Sequence, residues 1–223
     1  MRGVRHTAVV RVAPRRGLEP GPLAMWVKVC GMTTPEAVEA ALAAGVDAIG
    51  FVFAKSVRQV APGVARTLAA PARGRVACIA VTQHPDARTL AEIQADFAPD
   101  LLQTDAVDLA GFTPGTLRCP VLPVVRAGAA LPEPLPARLL FEGPVSGTGE
   151  TADWERAREL AARTELLLAG GLRPANVAAA IARVRPFGVD VSSGVESQPG
   201  LKSPAKILEF VQAARAAAVE TKR

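Results

Sequence analysis

The feature that most constrains this chain is a regular alternation of short apolar segments with segments of helical character. Apolar runs recur at intervals of roughly 17–28 residues, which is typical of βαβ units and a parallel sheet. The run at 47–53 is apolar almost throughout, as expected of a strand that is covered on both faces. Eight such units predict an α/β fold, a closed (β/α)8 barrel of the TIM type.

The predicted strands are 26–30, 47–53, 75–81, 101–105, 121–127, 138–142, 166–169 and 188–192, and the predicted helices are 35–44, 62–70, 86–97, 153–163, 174–184 and 203–218. An open doubly wound sheet is the alternative, but it would need a G-x-G-x-x-G turn after the first strand, and none is there. Segment 128–137 contains Pro132, Pro134 and Pro136, which a helix interior does not tolerate. The fifth helix of the barrel is therefore predicted to be replaced by a Pro-rich loop.

The net charge of +5 does not indicate a nucleic-acid-binding protein. Residues 1–24 hold five arginines and one glutamate, a balance of +4, so the remaining 199 residues carry about +1. Residues 1–24 are also rich in proline and lack a long apolar signal-peptide region. We expect them to be a disordered extension, or sequence that precedes a natural start at Met25. Residues 25–223 show no internal boundary and are predicted to form a single barrel.

The composition also limits the environment and the chemistry. No apolar run approaches the ~18 residues of a membrane span, so no membrane partner is expected. The three cysteines are odd in number and lack metal-ligand spacing, which favours a cytoplasmic protein over a disulfide framework. With only two histidines, His6 and His84, neither a zinc site nor a histidine-based triad is expected.

The first predicted strand carries a candidate catalytic cysteine. Residues alternate along a strand, so Cys30 shares a face with Lys28 and lies at the strand's carboxyl end. Barrels of this class place their active sites at that end. The alternative is a buried structural cysteine, since cysteine is among the most buried residue types.

Three glycine-rich turns follow the last three strands. They contain Gly147 and Gly149, then Gly170 and Gly171, then Ser192, Ser193 and Gly194. Glycine lets backbone N–H groups approach an anion closely, and barrels commonly bind phosphate after strands seven and eight. These turns predict a phosphate site, with a short helix at 195–201 adding its positive N-terminal dipole.

Five motifs, taken together, resemble those of the phosphoribosylanthranilate isomerase family. They are Lys28-Val29-Cys30-Gly31-Met32-Thr33, Phe51-Val52-Phe53-Ala54-Lys55-Ser56-Val57-Arg58, Gly147-Thr148-Gly149, Leu168-Ala169-Gly170-Gly171-Leu172 and Asp190-Val191-Ser192-Ser193-Gly194-Val195-Glu196. The resemblance implies a barrel of tryptophan biosynthesis. It also implies an aldose–ketose isomerase that converts N-(5'-phosphoribosyl)anthranilate to 1-(2-carboxyphenylamino)-1-deoxyribulose 5-phosphate, without a metal or an organic cofactor.

The resemblance also assigns roles to individual residues. It makes Cys30 the general base at C2 of the sugar, Arg58 the ligand of the anthranilate carboxylate, and Asp190 a neighbour of the substrate amine. The family's general acid is an aspartate, and this chain has Glu142 at that position. A second departure lies on strand four, where Gln103-Thr104-Asp105-Ala106 replaces the family's usual Gln-Leu-His-Gly.

The chemistry of the residues agrees with these roles and leaves alternatives open. A thiol acts as a base only as thiolate, so positive neighbours must lower its pKa, and Lys28 is a candidate neighbour. Glu142 could instead form a barrel-core ion pair with Lys28 or Arg126, and Arg58 could be a solvated loop charge.

Two other functions also remain open. One is a related histidine-pathway or bifunctional phosphoribosyl isomerase, which would carry aspartate where this chain has Cys30. The other is a weakly active barrel that only binds phosphate compounds. In each case the expected partner is a small phosphorylated molecule, and the protein is expected to be a monomer or a homodimer.

Overall fold

The computed structural model describes residues 25–113, 115–144 and 153–221, and in it eight parallel strands close into a barrel. The strands are β1 Trp26–Cys30, β2 Ala48–Val52, β3 Ala77–Val81, β4 Leu101–Asp105, β5 Val121–Arg126, β6 Arg138–Glu142, β7 Glu165–Leu168 and β8 Gly188–Val191. Each strand pairs with the next in sequence, and β8 pairs with β1. The predicted barrel is confirmed.

The helices surround this barrel. They are α1 Pro35–Ala44, α2 Pro62–Ala69, α3 Ala87–Glu92, α4 Trp154–Ala161, α5 Pro174–Val184 and α6 Pro204–Thr221. Local sequence explains the ends of α1: the Thr34 side chain accepts a hydrogen bond from the N–H of Ala37, and Gly45 ends the helix in the left-handed conformation. Among the described residues, no helix is both long enough and apolar enough to cross a membrane.

Three connections differ from the usual strand–helix–strand pattern. Between β4 and β5 the described residues form a 3-10 segment, Ala106–Gly111, and no α-helix. Residues 127–137, between β5 and β6, contain no helix, and the three prolines lie in this segment. The predicted helix 86–97 divides instead, because α3 is followed by a π-helical segment, Ile93–Phe97. The predicted N-terminal extension, residues 1–24, lies outside the described residues, as do Gly147 and Gly149.

The core has an inner and an outer layer. The inner layer fills the barrel with Trp26, Ala48, Ala77, Ile79, Leu101, Leu122, Val124, Leu140, Leu167 and Ala169. The outer layer packs the other strand faces against the helices, and Leu139 and Phe141 belong to it. Since Leu140 points inward, Glu142 lies on the inward face of β6, as predicted from the alternation.

The short helix predicted at 195–201 is wrong. A 3-10 turn at Ser193–Val195 is followed by an antiparallel hairpin of β9 Glu196–Gln198 and β10 Leu201–Lys202. Gly200, with a φ of 85°, provides the left-handed residue of the hairpin turn. The hairpin pairs Lys202 with Glu196, and so brings their side chains to the same place beside the barrel mouth.

Candidate active site

A cavity at the carboxyl ends of the strands contains most of the predicted site residues. Its lining includes Cys30 from β1, Glu142 from β6, Asp190 from β8 and Arg58 from the loop after β2. Gly170, Gly171, Ser192 and Ser193, from the turns after β7 and β8, also line it. The structure therefore brings the predicted acid, base and carboxylate ligand together with four of the five described residues of the predicted phosphate site, and Gly194 is not among the lining residues.

Cys30 is buried at the end of β1, and its position depends on a glycine in the neighbouring strand. Gly50 pairs with Cys30, and a Cβ atom at position 50 would lie 2.9 Å from the Cys30 Sγ. That separation is shorter than van der Waals contact allows. The absence of a side chain at Gly50 thus makes the space that the thiol occupies.

Lys28 lies one pleat deeper than Cys30 and is completely buried. Its Nζ donates a 2.8 Å hydrogen bond to Oδ2 of Asp190, which pairs with it across β1 and β8. Burial opposes the charge of Lys28, but Asp190 and Cys30 outweigh it and raise the pKa of Lys28 above its ordinary value. Lys28 is therefore a buried cation held by a carboxylate.

The predicted lowering of the Cys30 pKa is wrong for this structure. Burial raises the pKa of the thiol, and the positive charges of Lys28 and Lys202 only partly counteract it, while the charge of Asp190 adds to the rise. The reason is that the loss of solvation outweighs the attraction of Lys28, the larger of the two positive influences. Cys30 is therefore a neutral thiol near pH 7.

Glu142 lies at the end of β6 with 13% of its side chain exposed. Arg126, its neighbour on β5, places Nη1 2.7 Å from Oε1 of Glu142 and Nη2 2.7 Å from Oδ1 of Asp105. Of the two ion pairs considered for Glu142, the one with Arg126 is present, whereas Lys28 pairs with Asp190 instead. Glu142 is both a partner of Arg126 and a wall of the cavity.

Arg58 is not a solvated loop charge, because only 11% of its side chain is exposed. Its Nε and Nη2 donate to the two carboxylate oxygens of Glu196, at 2.6 and 2.9 Å. Its aliphatic part packs over Gly31, where a Cβ atom would lie 2.6 Å from Cδ of Arg58. Gly31 also has a φ of 81°, so both space and backbone favour glycine there.

Glu196 is a site residue to which sequence reasoning gave no role. Its Oε1 accepts a hydrogen bond from Nζ of Lys202 at 2.8 Å, in addition to that from Arg58. Burial alone would raise the pKa of Glu196, but Arg58 and Lys202 outweigh burial and hold it below its ordinary value. The available signal was its place at the end of a glycine-rich motif, next to the predicted phosphate turns.

The turns after β7 and β8 expose backbone to the cavity. Gly170 and Gly171 have φ values of 87° and 64°. Gly194 allows a close approach of two loops, because a Cβ atom there would collide with the carbonyl oxygen of Leu172. Glycine is therefore required at these positions for conformation or for space, whether or not an anion binds.

One further polar cluster lies beside Arg126, at the end of β4. His84 Nδ1 lies 2.6 Å from Oδ1 of Asp108, and its Nε2 lies 3.7 Å from Oδ2 of Asp105. One nitrogen or oxygen atom from each of the three residues could bind a metal ion, and these atoms lie within 4.8 Å of one another. Asp105 is already paired with Arg126, and Asp108 also accepts a hydrogen bond from Thr104. The cluster is a compensated charge network, in which Asp108 raises the pKa of His84.

Comparison with known proteins agrees with this geometry. A model of the family described as N-(5'phosphoribosyl)anthranilate (PRA) isomerase matches residues 27–213. An N-(5'-phosphoribosyl)anthranilate isomerase from Azorhizobium caulinodans is 41% identical over 217 residues, which cover 87% of this chain and 93% of that protein. A second, from Roseiflexus sp., is 40% identical, with 86% and 98% covered.

Solved structures show the same relationship. TrpF from Jonesia denitrificans superposes with a TM-score of 0.73 and 37% identity, covering 90% of this chain and all of that one. A phosphoribosyl anthranilate isomerase in complex with reduced 1-(o-carboxyphenylamino)-1-deoxyribulose 5-phosphate superposes with a TM-score of 0.70 and 28% identity, covering 85% and 98%. The chain thus belongs to the N-(5'-phosphoribosyl)anthranilate isomerase family.

Proposed function

We propose that this protein isomerises N-(5'-phosphoribosyl)anthranilate to 1-(2-carboxyphenylamino)-1-deoxyribulose 5-phosphate, a step of tryptophan biosynthesis. The observation that carries the proposal is a thiol and a carboxyl group, from the non-adjacent strands β1 and β6, that line one cavity with Arg58 and two glycine-rich turns. The rearrangement needs an acid and a base that act on different atoms of one sugar. Cys30 and Glu142 supply this pair.

The two proposed catalytic residues each carry out one of the proton transfers. Glu142 gives a proton to the ring oxygen, the bond from that oxygen to C1 breaks, and the nitrogen lone pair forms a C1=N iminium. Cys30 first releases its own thiol proton to solvent. The resulting thiolate then removes the proton from C2, and the electrons of that C–H bond form an enolamine and neutralise the nitrogen. Protonation at C1 and loss of the C2 hydroxyl proton give the ketose, so atoms and charge balance.

The state of Cys30 fits this order of events. Because burial keeps the resting thiol neutral, the thiolate needs a positive charge nearby. The iminium carries such a charge, and it forms only after ring opening. The base is therefore activated at the stage when the C2 proton becomes acidic.

Arg58 and Asp190 hold the anthranilate half of the substrate. Glu196 occupies the Nε and Nη2 edge of Arg58, and Nη1 has no hydrogen-bond partner among the described residues. The Nη1 and Nη2 edge can therefore bind a second carboxylate in a fork. Asp190 uses Oδ2 for Lys28, whereas its buried Oδ1 lacks a partner within the described part of the chain and can accept from the substrate amine.

The phosphate group binds the turns after β7 and β8, through Gly170, Gly171, Ser192, Ser193 and Gly194. Gly147 and Gly149 complete this set. Backbone N–H groups at such turns suit an anion because glycine leaves them accessible.

Complementation tests the proposed reaction against its alternatives. The gene is expected to restore growth without tryptophan to a strain that lacks this isomerase, and not to rescue a strain that lacks the phosphosugar isomerase of histidine biosynthesis. The purified protein should also convert N-(5'-phosphoribosyl)anthranilate in an enzyme assay. Rescue of the histidine strain would indicate a bifunctional enzyme, and failure in both strains with retained phosphate binding would indicate a barrel that only binds.

Arg58→Ala is expected to raise KM by about tenfold to a hundredfold and to lower kcat less, since a fork to a carboxylate binds ground and transition states alike. Steady-state kinetics with the anthranilate substrate measure both constants. Arg66→Ala is the matched control, because Arg66 is an exposed arginine on α2 away from the cavity. An unchanged KM in Arg58→Ala would remove Arg58 from the binding role.

A further inference from the structure

Glu196 is buried beside the cavity and has both carboxylate oxygens occupied. Oε1 accepts from Nε of Arg58 at 2.6 Å and from Nζ of Lys202 at 2.8 Å, and Oε2 accepts from Nη2 of Arg58 at 2.9 Å. A side-on fork of this kind fixes the plane of the guanidinium as well as its position. Glu196 itself is held in place, because Nζ of Lys206 donates to its backbone carbonyl at 2.7 Å.

The same network reaches the strand that carries Cys30. Nζ of Lys202 donates to the backbone carbonyl of Ser192 at 3.1 Å and contacts its Oγ at 3.2 Å. Oγ of Ser192 donates in turn to the backbone carbonyl of Cys30 at 3.0 Å. Glu196 thus connects Arg58 with the end of β1 through Lys202 and Ser192.

The arrangement does more than stabilise a loop. Arg58 has a long side chain with several rotatable bonds, and ordering such a side chain costs conformational entropy. Glu196 orders Arg58 before any ligand arrives and leaves the Nη1 and Nη2 edge for it. Binding of a carboxylate to a guanidinium that is already ordered avoids this loss of conformational entropy.

We propose that Glu196 is a positioning residue that holds Arg58 with its Nη1 and Nη2 edge available to the carboxylate of the anthranilate ring. Glu196 does not contact the substrate itself and affects its binding only through Arg58. The inference rests on the proposed function, in which Arg58 binds that carboxylate. It predicts that Glu196 contributes to recognition of the carboxylate and not to binding of the sugar phosphate.

The test compares two ligands that differ only in the carboxylate. They are reduced 1-(o-carboxyphenylamino)-1-deoxyribulose 5-phosphate and its analogue with an unsubstituted phenyl ring, and calorimetry gives the Kd of each. The ratio of the Kd of the phenyl analogue to the Kd of the carboxylate-bearing ligand measures carboxylate recognition. Wild type should show a large ratio, Arg58→Ala a ratio close to one, and Glu196→Gln a ratio about tenfold or more below wild type.

The Kd of the phenyl analogue should stay within about twofold of wild type in Glu196→Gln, because Glu196 itself makes none of the proposed phosphate contacts. Glu209→Gln is the matched control, since Glu209 is an exposed glutamate on α6, and it should leave the ratio unchanged. Equal weakening of both ligands in Glu196→Gln would assign Glu196 a merely structural role and overturn the inference.

The two hypotheses fail in different ways. If Arg58→Ala lowers the ratio and Glu196→Gln does not, the positioning role is wrong while Arg58 keeps its binding role. If Arg58→Ala leaves the ratio unchanged, both roles are wrong. If Glu196→Gln does not fold, Glu196→Asp gives the answer: it keeps the charge but shortens the side chain, so it should give an intermediate ratio, and a ratio equal to wild type would contradict the inference.

Discussion

Cys30→Ala is expected to lower kcat by about a hundredfold to ten-thousandfold, because that is the range that a general base typically contributes. Binding of the reduced product analogue should persist with a Kd close to wild type, since the proposed role of Cys30 is proton abstraction and not holding the substrate. Steady-state kinetics and calorimetry together measure the two quantities. Loss of turnover with retained binding separates a base from a residue that shapes the pocket.

Cys119→Ala is the matched control for this variant. Cys119 is half-buried just before β5 and does not line the cavity, so its replacement should leave kcat and Kd near wild type. A Cys30→Ala enzyme that keeps more than about a tenth of wild-type activity would remove Cys30 from the base role. The cysteine would then be a buried structural residue in the space beside Gly50.

The raised pKa of Cys30 also has a consequence that spectroscopy can detect. The thiolate fraction increases with pH, and because burial raises the pKa, that increase occurs at more alkaline pH than for an exposed cysteine. The difference in thiolate absorbance between wild type and Cys30→Ala isolates this titration from that of Cys78, whose pKa burial raises to about 11. A titration of Cys30 below the ordinary range would contradict the burial argument.

The sequence pattern was sufficient to predict the barrel because the strand and the helix of each βαβ unit follow from the sequence of that unit alone. The predicted limits of the strands ending in Cys30, Asp105 and Glu142 agree with the structure. The third strand starts at Ala77 and not at Arg75, because the N–H groups of residues 75 and 76 both bond to the carbonyl of Ala72 in the preceding turn. Such a bond depends on how the turn closes, which the apolar pattern does not encode.

The helix predicted at 195–201 is wrong because the chain turns within this segment and pairs Glu196 with Lys202. The Pro199-Gly200 pair was a turn signal, and it favours a hairpin over a helix. The hairpin is further stabilised by the ion pair between Glu196 and Lys202 and by their bonds to Arg58 and Ser192. The side chains that meet there come from two separate parts of the chain, so the local pattern could not reveal the arrangement.

The presence of a lysine beside Cys30 could be predicted from the sequence, but the direction of the Cys30 pKa shift could not. Alternation along β1 correctly places Lys28 beside Cys30. It does not say that Asp190, 162 positions later in the sequence, pairs with Lys28, nor that burial dominates the pKa of the thiol. Pairing between strands and depth of burial are properties of the closed barrel.

The second large effect is expected at Glu142. Glu142→Gln should lose about a hundredfold to ten-thousandfold in kcat/KM, because an amide cannot donate the proton that opens the sugar ring. Glu142→Asp restores the residue of the family pattern and keeps the acid, but withdraws it by one methylene. A displacement of about 1 Å can cost as much as a hundredfold, so an intermediate rate is expected.

The pH profile distinguishes an acid from a structural carboxylate. A general acid must be protonated when it acts, and Nη1 of Arg126 lies 2.7 Å from Oε1 of Glu142. The basic limb of kcat/KM should therefore move or flatten in Glu142→Asp, which changes that contact. Glu209→Gln, on the exposed face of α6, should leave the profile unchanged.

Equal activity in wild type, Glu142→Gln and Glu142→Asp would instead make Glu142 only the partner of Arg126. The acid would then have to be another carboxyl group that reaches the ring oxygen, and Asp105 and Asp190 are the candidates. Asp105 shares Arg126 with Glu142, and Asp190 already holds Lys28. Asp105 is not among the residues that line the cavity, and Asp190 lines it with one carboxylate oxygen held by Lys28, whereas Glu142 lines the cavity at the carboxyl end of β6.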